Sequence, residues 1–429
     1  MNEFVKISGF GWFLAVLFLV PFAAEAQNVV RGGVSVEHAY DSNIDRVPQN
    51  EVSEWTTTVT PGIEYARSGR RSDFSLRYAP GVVYNWRTEE ERLDHFAAGE
   101  YGHQLTRNLH VSLADTFVRT EDPYDETEEV EGGIDISDRR GRRRYWTNDA
   151  SVRAEYTYGR ESTAEAGYAY RVLENRDESD AYSDYVRHSP FISIRQRINR
   201  QWDAGVEYAY VRGDFDDDTE DFTEHAQDLY LFYRATRFTT LFGHLGGILR
   251  DYDITLEDYK VYTAATGVEH RYSSTFDVEL EAGGSVVDRE NFDNAEAVYL
   301  RAALEKSWER SAWTLEAESG LDARDFSGVD DLGLSRYWLV GTGFTRTLLR
   351  DVTGSLDLSY RDDTYLERDP ETDEQRAEAA VRLAWSFARW YELSARYVYV
   401  DNSADIAADN YTDHRFFVSL SAEKDFIQW

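Results

Sequence analysis

Residues 377–390 read Ala-Glu-Ala-Ala-Val-Arg-Leu-Ala-Trp-Ser-Phe-Ala-Arg-Trp, and their alternation decides the fold. Ala377, Ala379, Val381, Leu383, Trp385 and Phe387 share one parity, while Glu378, Arg382 and Ser386 fall on the other. Side chains along a strand point alternately to opposite faces, so the segment is a strand with one apolar and one polar face. Arg389 then occupies a short break before the next alternating run.

Outward from this segment the same beat recurs. Arg70, Arg107, Arg160, Arg200, Arg237, Arg271, Arg310, Arg350 and Arg389 each mark a tight break, and most neighbours lie 34 to 40 residues apart. That period is one hairpin plus one longer loop. Phe74, Leu76, Tyr78 and Val82 oppose Ser75 and Arg77; Trp202, Val206 and Tyr208 oppose Asp203 and Glu207. Breaks carrying the arginines are short, and the breaks between them are long and acidic. This is the layout of an all-β chain folded as a transmembrane antiparallel up-and-down β-barrel. The turn count predicts about 20 strands, with about 18 as the alternative because segments near 93–104, 181–197 and 258–270 fit either parity. An even number places both termini in the periplasm.

Composition excludes the main competitors. The chain of 429 residues has a net charge of −34, 29 Tyr, 11 Trp and no Cys. Its mean hydropathy is −0.60. No second apolar stretch reaches the ~20 residues of a spanning helix. The one such run, Phe10 to Phe22, follows Lys6 and precedes Ala24-Glu25-Ala26, so residues 1–26 read as a signal peptide and 27–429 as the barrel domain. Many aromatic residues beside strong acidity fit a barrel with aromatic girdles and polar loops in a Gram-negative outer membrane.

Some details strain the reading. Pro61, Pro80 and Pro190 fall inside strands, where a residue without an N–H is expected at a strand end or a bulge. Asp115 takes the outward parity, expected near an interface or in a bulge. Phe416, Val418, Leu420 and Ala422 are even whereas Ile427 and Trp429 are odd, which calls for a bulge around residues 423–425.

About 20 strands enclose more space than side chains fill, and no length is left over for a plug, so a water-filled passage is expected. Its inward parity carries Arg77, Arg153, Glu155, Arg171, Glu207, Glu279, Arg301, Glu316, Arg336, Arg382 and Arg396. These residues either pair across strands and stiffen the wall or set selectivity; the sequence supports both. The loop at 120–143, acidic at first and ending in Arg139, Arg140, Arg142, Arg143 and Arg144, suits a gate or a patch for lipopolysaccharide phosphates. The run Asp214, Asp216, Asp217, Asp218, Glu220 and Asp221 imitates a Ca²⁺ loop but lacks Gly at the sixth position and has His225 at the twelfth, so no metal is assigned. No G-x-S-x-G, H-E-x-x-H or P-loop is present, so neither catalysis nor a cofactor is expected. Such an acidic chain is no nucleic-acid binder.

The segments Val34-Ser-Val-Glu-His-Ala-Tyr-Asp-Ser-Asn-Ile44 and Val59-Thr-Pro-Gly-Ile-Glu-Tyr65 resemble the opening of the beta-barrel porin 2 family, in which a Tyr-Asp-Ser-Asn motif closes the first strand and a Pro-Gly pair marks the second. The resemblance implies passive export of extracellular polysaccharide, with a polysaccharide cargo and a periplasmic export partner beside outer-membrane lipids and lipopolysaccharide. It supplies no catalytic residues. The alternatives are a general diffusion porin for small solutes and a structural or adhesive surface barrel with a closed lumen.

Overall fold

The computed structural model describes residues 27–122, 143–176, 183–216, 220–253, 258–289, 294–323, 326, 333–366 and 371–429. The expected signal peptide and residues 123–142 of the long loop lie outside the described residues. The strands are β1 (Gln27–Asp41), β2 (Glu54–Ser68), β3 (Ser72–Asn85), β4 (Glu90–Gln104), β5 (Leu109–Thr120), β6 (Tyr145–Tyr158) and β7 (Ser162–Asn175). There follow β8 (Tyr185–Arg197), β9 (Trp202–Phe215), β10 (Phe222–Arg234), β11 (Thr239–Tyr252), β12 (Tyr259–Ser273), β13 (Phe276–Arg289) and β14 (Ala295–Ser307). The last are β15 (Ser311–Ala323), β16 (Leu334–Leu349), β17 (Val352–Tyr365), β18 (Thr372–Phe387), β19 (Tyr391–Ala404) and β20 (Tyr411–Gln428). Each strand pairs antiparallel with its chain neighbours, and β1 pairs with β20, so one 20-stranded sheet closes into a barrel. One end carries the tight turns and both ends of the barrel domain; the other carries the longer loops.

Alternation gives the wall two faces. Val206 and Tyr208, Leu229 and Leu231, and Val381, Leu383 and Trp385 stand exposed on one parity of their strands. A continuous exposed apolar belt on a closed barrel is a face made for lipid. Between mid-strand and the loop end this face carries a repeated pair: the hydroxyls of Tyr78, Tyr168, Tyr208 and Tyr397 lie 2.6–2.8 Å from Nδ1 of His95, His188, His225 and His414. An apolar ring body with a polar tip suits the boundary between hydrocarbon and headgroups.

The three prolines are neither strand ends nor bulges. The β2–β3 ladder runs to Val59↔Val82 and resumes at Ile63↔Tyr78 in the same register, so Pro61 and Pro80 face each other across a single gap. Two missing N–H donors thus interrupt the ladder once. Pro190 likewise lies where the β8–β9 ladder opens between His188↔Arg212 and Phe191↔Ala209. Asp115 is also not in a bulge: Asn148 Nδ2 donates to its Oδ1 at 2.6 Å from the neighbouring strand.

The closing seam is built by both chain ends. The β1–β20 register shifts between Val30↔Ile427 and Arg31↔Asp425, so Phe426 is the extra residue, one position beyond the expected bulge. That insertion returns Ile427 and Trp429 to the outward phase, and Trp429 exchanges both backbone hydrogen bonds with Asn28. At the loop end the Tyr40-Asp-Ser-Asn43 motif latches the same seam. Asn43, fully buried, donates from Nδ2 to the carbonyls of Val47 and Thr412, and Ser42 Oγ accepts from the His414 N–H.

Candidate pore and its lining

Arg77, Arg153, Glu155, Arg171, Glu207, Glu279, Arg301, Glu316, Arg382 and Arg396 all fall on the inward parity, opposite that of exposed neighbours such as Tyr78, Val152, Val206, Leu280 and Val381. Arg336 does not. It shares the parity of the exposed Trp338 and Val340, which pair with Asp362 and Tyr360. Alternation along the strand alone, without this register, puts it on the inner face.

Some inward charges form the expected pairs: Arg153–Glu165 at 3.1 Å, Arg171–Asp149 at 3.3 Å and Arg382–Glu392 at 3.0 Å. Direct cross-strand partners are of both kinds: Arg31 faces Glu64, Glu64 faces Arg77, Asp149 faces Arg171, and Arg301 faces Glu281 and Glu318, whereas other pairs are of like sign. Glu207 faces Asp228, Glu269 faces Glu279, and Glu155 faces Glu165. Arg171 faces Arg187, Arg361 faces Arg376, and Arg382 faces Arg396. Opposite charges at such positions contribute ~0.2–1 kcal/mol, and like charges cost stability. The opposite-sign pairs stiffen the wall, and the like-sign contacts do not.

One inward cluster was not legible as a site. His244 on β11 places Nε2 2.8 Å from Asp228 Oδ1 and Nδ1 2.9 Å from Glu281 Oε1. Each ring nitrogen meets a carboxylate, which only accepts, so the imidazole that satisfies both donates from both. Tyr230 stacks on the ring at 4.6 Å, and the Tyr299 hydroxyl donates to Glu281 Oε2 at 3.4 Å. Gly246 makes the room: a Cβ there would stand 2.8 Å from Asp228 Oδ1. The available signal was Phe242-Gly-His244-Leu-Gly246, whose parity turns both the histidine and a glycine inward.

At the loop end the inner face becomes apolar. Tyr145, Leu173, Tyr185, Val211, Phe215 and Phe222 form one buried cluster. Tyr259, Val261 and Val287 form another with Leu334 and Leu366. These clusters exist because a hairpin leaves the wall. Pairing of β14 with β15 stops at Leu300↔Ser319, where Ser319 Oγ donates to the Val298 carbonyl, while β15 and β16 continue together to Ala323↔Leu334. Beyond that point Leu321 and Leu334 pack with inward residues of β12 and β13. Phe326 reaches β8–β10, where the Tyr185 hydroxyl donates to its carbonyl at 3.2 Å and Arg187 covers its ring at 4.7 Å. Arg361 braces the bent hairpin, donating to Asp322 at 2.7 Å and to Asp363 at 2.6 Å. The Arg361–Asp363 contact is buried, so removing one of its partners costs about 3–5 kcal/mol, whereas an exposed pair such as Arg153–Glu165 is worth ~0–1 kcal/mol. The bracing holds the bent hairpin, and the exposed charges stand on the inner face.

The acidic run near 214–221 is organised by an arginine. Arg212 lies 2.7 Å from Asp214, 3.4 Å from Asp221 and 3.0 Å from Asp253. Its hydrogen bonds hold the Asp253 carboxyl below the usual carboxylate range. Asp217 and Asp218 lie outside the described residues. Among the described residues no three His, Asp or Glu side chains are placed to hold a metal ion.

No family model matches the chain, and no curated protein does. Solved structures do. The chain is similar to a variant of the ferric enterobactin receptor from Pseudomonas aeruginosa, with a TM-score of 0.52 at 10% identity over 94% of this chain and 82% of that one. It is similar to the siderophore receptor PirA of the same organism, with a TM-score of 0.52 at 10% identity over 92% and 80%. At this identity the likeness shows the fold alone, a closed β-barrel.

Proposed function

We propose that the chain is a passive outer-membrane channel for hydrated polar solutes, with its loop end outside and both termini periplasmic. The like-charge pairs of the inner wall carry this reading. They cost stability where they stand, and they present fields of both signs to whatever passes. The bent β15–β16 hairpin narrows the passage at the loop end, so solutes meet an apolar constriction on one side and charged wall on the other. Permeation of small neutral sugars into vesicles containing the full chain tests the proposal. Uptake above that of protein-free vesicles supports it; uptake equal to theirs overturns it in favour of a closed barrel.

Export of extracellular polysaccharide is a second reading, favoured by one feature. Phe242, Phe232, Tyr230 and His244 follow one another along the inner face at ring distances of 5.8, 5.9 and 4.6 Å, and Tyr299 continues the series at 5.9 Å. Flat apolar faces beside carboxylate acceptors suit sugar rings and their hydroxyls. Oligosaccharides blocking the channel from the turn end, where monosaccharides do not, is the expected outcome for a polymer route. Equal effects of both favour a diffusion porin.

A further inference from the structure

Arg271 pairs with Asp277 on the inward parity of β12, and the other arginines of the beat stand in the tight turns. All nine of these arginines are exposed and stand at the turn end of the barrel. The segments joining strands at this end contain only three carboxylates, Glu161, Glu309 and Asp351, in a chain whose net charge is −34. The opposite end concentrates acid instead, with five carboxylates among residues 216–221. The turn end is therefore a basic rim on an acidic protein.

Two features say what this rim meets. Exposed apolar side chains stand beside the arginines: Leu105 before Arg107, Ile198 before Arg200, Trp308 before Arg310 and Leu349 before Arg350. The Arg237 guanidinium lies 4.4 Å from the Phe238 ring, and that of Arg389 lies 5.0 Å from the Trp390 ring. Six of the nine turns thus pair a group that belongs in hydrocarbon with one that belongs at the phosphate level. The turns are also too short to project beyond the leaflet. A soluble acidic partner would leave the apolar half of each turn unexplained.

We infer that the rim binds phosphate groups of anionic phospholipid in the leaflet at the turn end. Guanidinium groups bind phosphate oxygens in a bidentate geometry, and six turns repeat the site around the circumference. The inference rests on the barrel fold and not on conduction, so its failure would leave the channel reading untouched.

The test is lipid retention. The full chain is reconstituted in phosphatidylcholine vesicles containing a minor share of phosphatidylglycerol, extracted in mild detergent, and its co-purifying lipid quantified. The parent protein should be enriched in phosphatidylglycerol, less so at high salt. Replacing Arg107, Arg200, Arg237, Arg310, Arg350 and Arg389 by Gln should lower the enrichment at least ~5-fold. Replacing the same six by Lys should preserve most of it. Should the Gln variant not fold, Arg237→Gln and Arg389→Gln singly should each show a smaller loss. No enrichment in the parent, or equal enrichment in the folded Gln variants, overturns the inference.

Discussion

The Ser42 hydroxyl donates to Asp413 Oδ1 at 3.0 Å, joining residues 371 positions apart across the seam where the last strand meets the first. Asn43 beside it also receives the Val47 N–H at 3.1 Å, so the first loop and the last strand share one buried polar knot. Barrel closure has no covalent help, because the chain has no cysteine.

Asn43→Ala should therefore weaken closure more than its size implies. It strands the Val47 and Thr412 backbone groups in a buried site, at a cost of about 1–3 kcal/mol. The check is the temperature at which the folded band is lost on a semi-native gel. An unchanged midpoint would mean the knot is incidental.

Phe326→Ala should widen the mouth. The ring contacts Phe215 and Phe222 at 5.7 and 5.4 Å, and its loss unpins the bent hairpin from the facing wall. Single-channel recordings should show larger or more frequent open levels than the parent. A variant with parental conductance would place the constriction elsewhere.

His244→Ala should shift ion selectivity toward cations. Removing the group that both Asp228 and Glu281 share leaves two carboxylates facing the lumen without their common donor. The reversal potential in a salt gradient measures this. An unchanged potential would show that the cluster lies outside the ion path.

The Arg212–Asp253 contact predicts an acid-sensitive contribution to stability. Because the folded-state pKa of Asp253 is depressed, chiefly by the Arg212 hydrogen bonds, its contribution is present above the unfolded value of about 3.9 and lost as pH falls through the folded one. Asp253→Asn should melt below the parent near neutrality and converge with it in acid. The gap should be small and shrink with salt, since the carboxylate is exposed. Parallel melting curves at every pH would refute the assignment.

Strand parity was legible because lipid outside and water inside impose a period of two on nearly every segment, as Ala377–Phe387 shows. The bulge at Phe426 was legible for the same reason: a phase error between Leu420 and Trp429 has to be absorbed somewhere. Pro61 and Pro80 misled because each was judged alone, whereas the ladder opens once for both. Arg336 misled because parity had to be counted from a neighbour, and Trp338 is the one that fixes it. His244, Asp228 and Glu281 come from three strands, so only register could bring them together. The bent hairpin was equally hidden, since nothing local marks where β14 releases β15.

The most direct test of the channel reading is the conductance of the purified, refolded full chain in a planar bilayer at neutral pH. The parent protein should show discrete open levels that grow when Phe326 is replaced by Ala. Silence in both proteins, with the folded band intact, would contradict it and return the barrel to a closed structural or adhesive role.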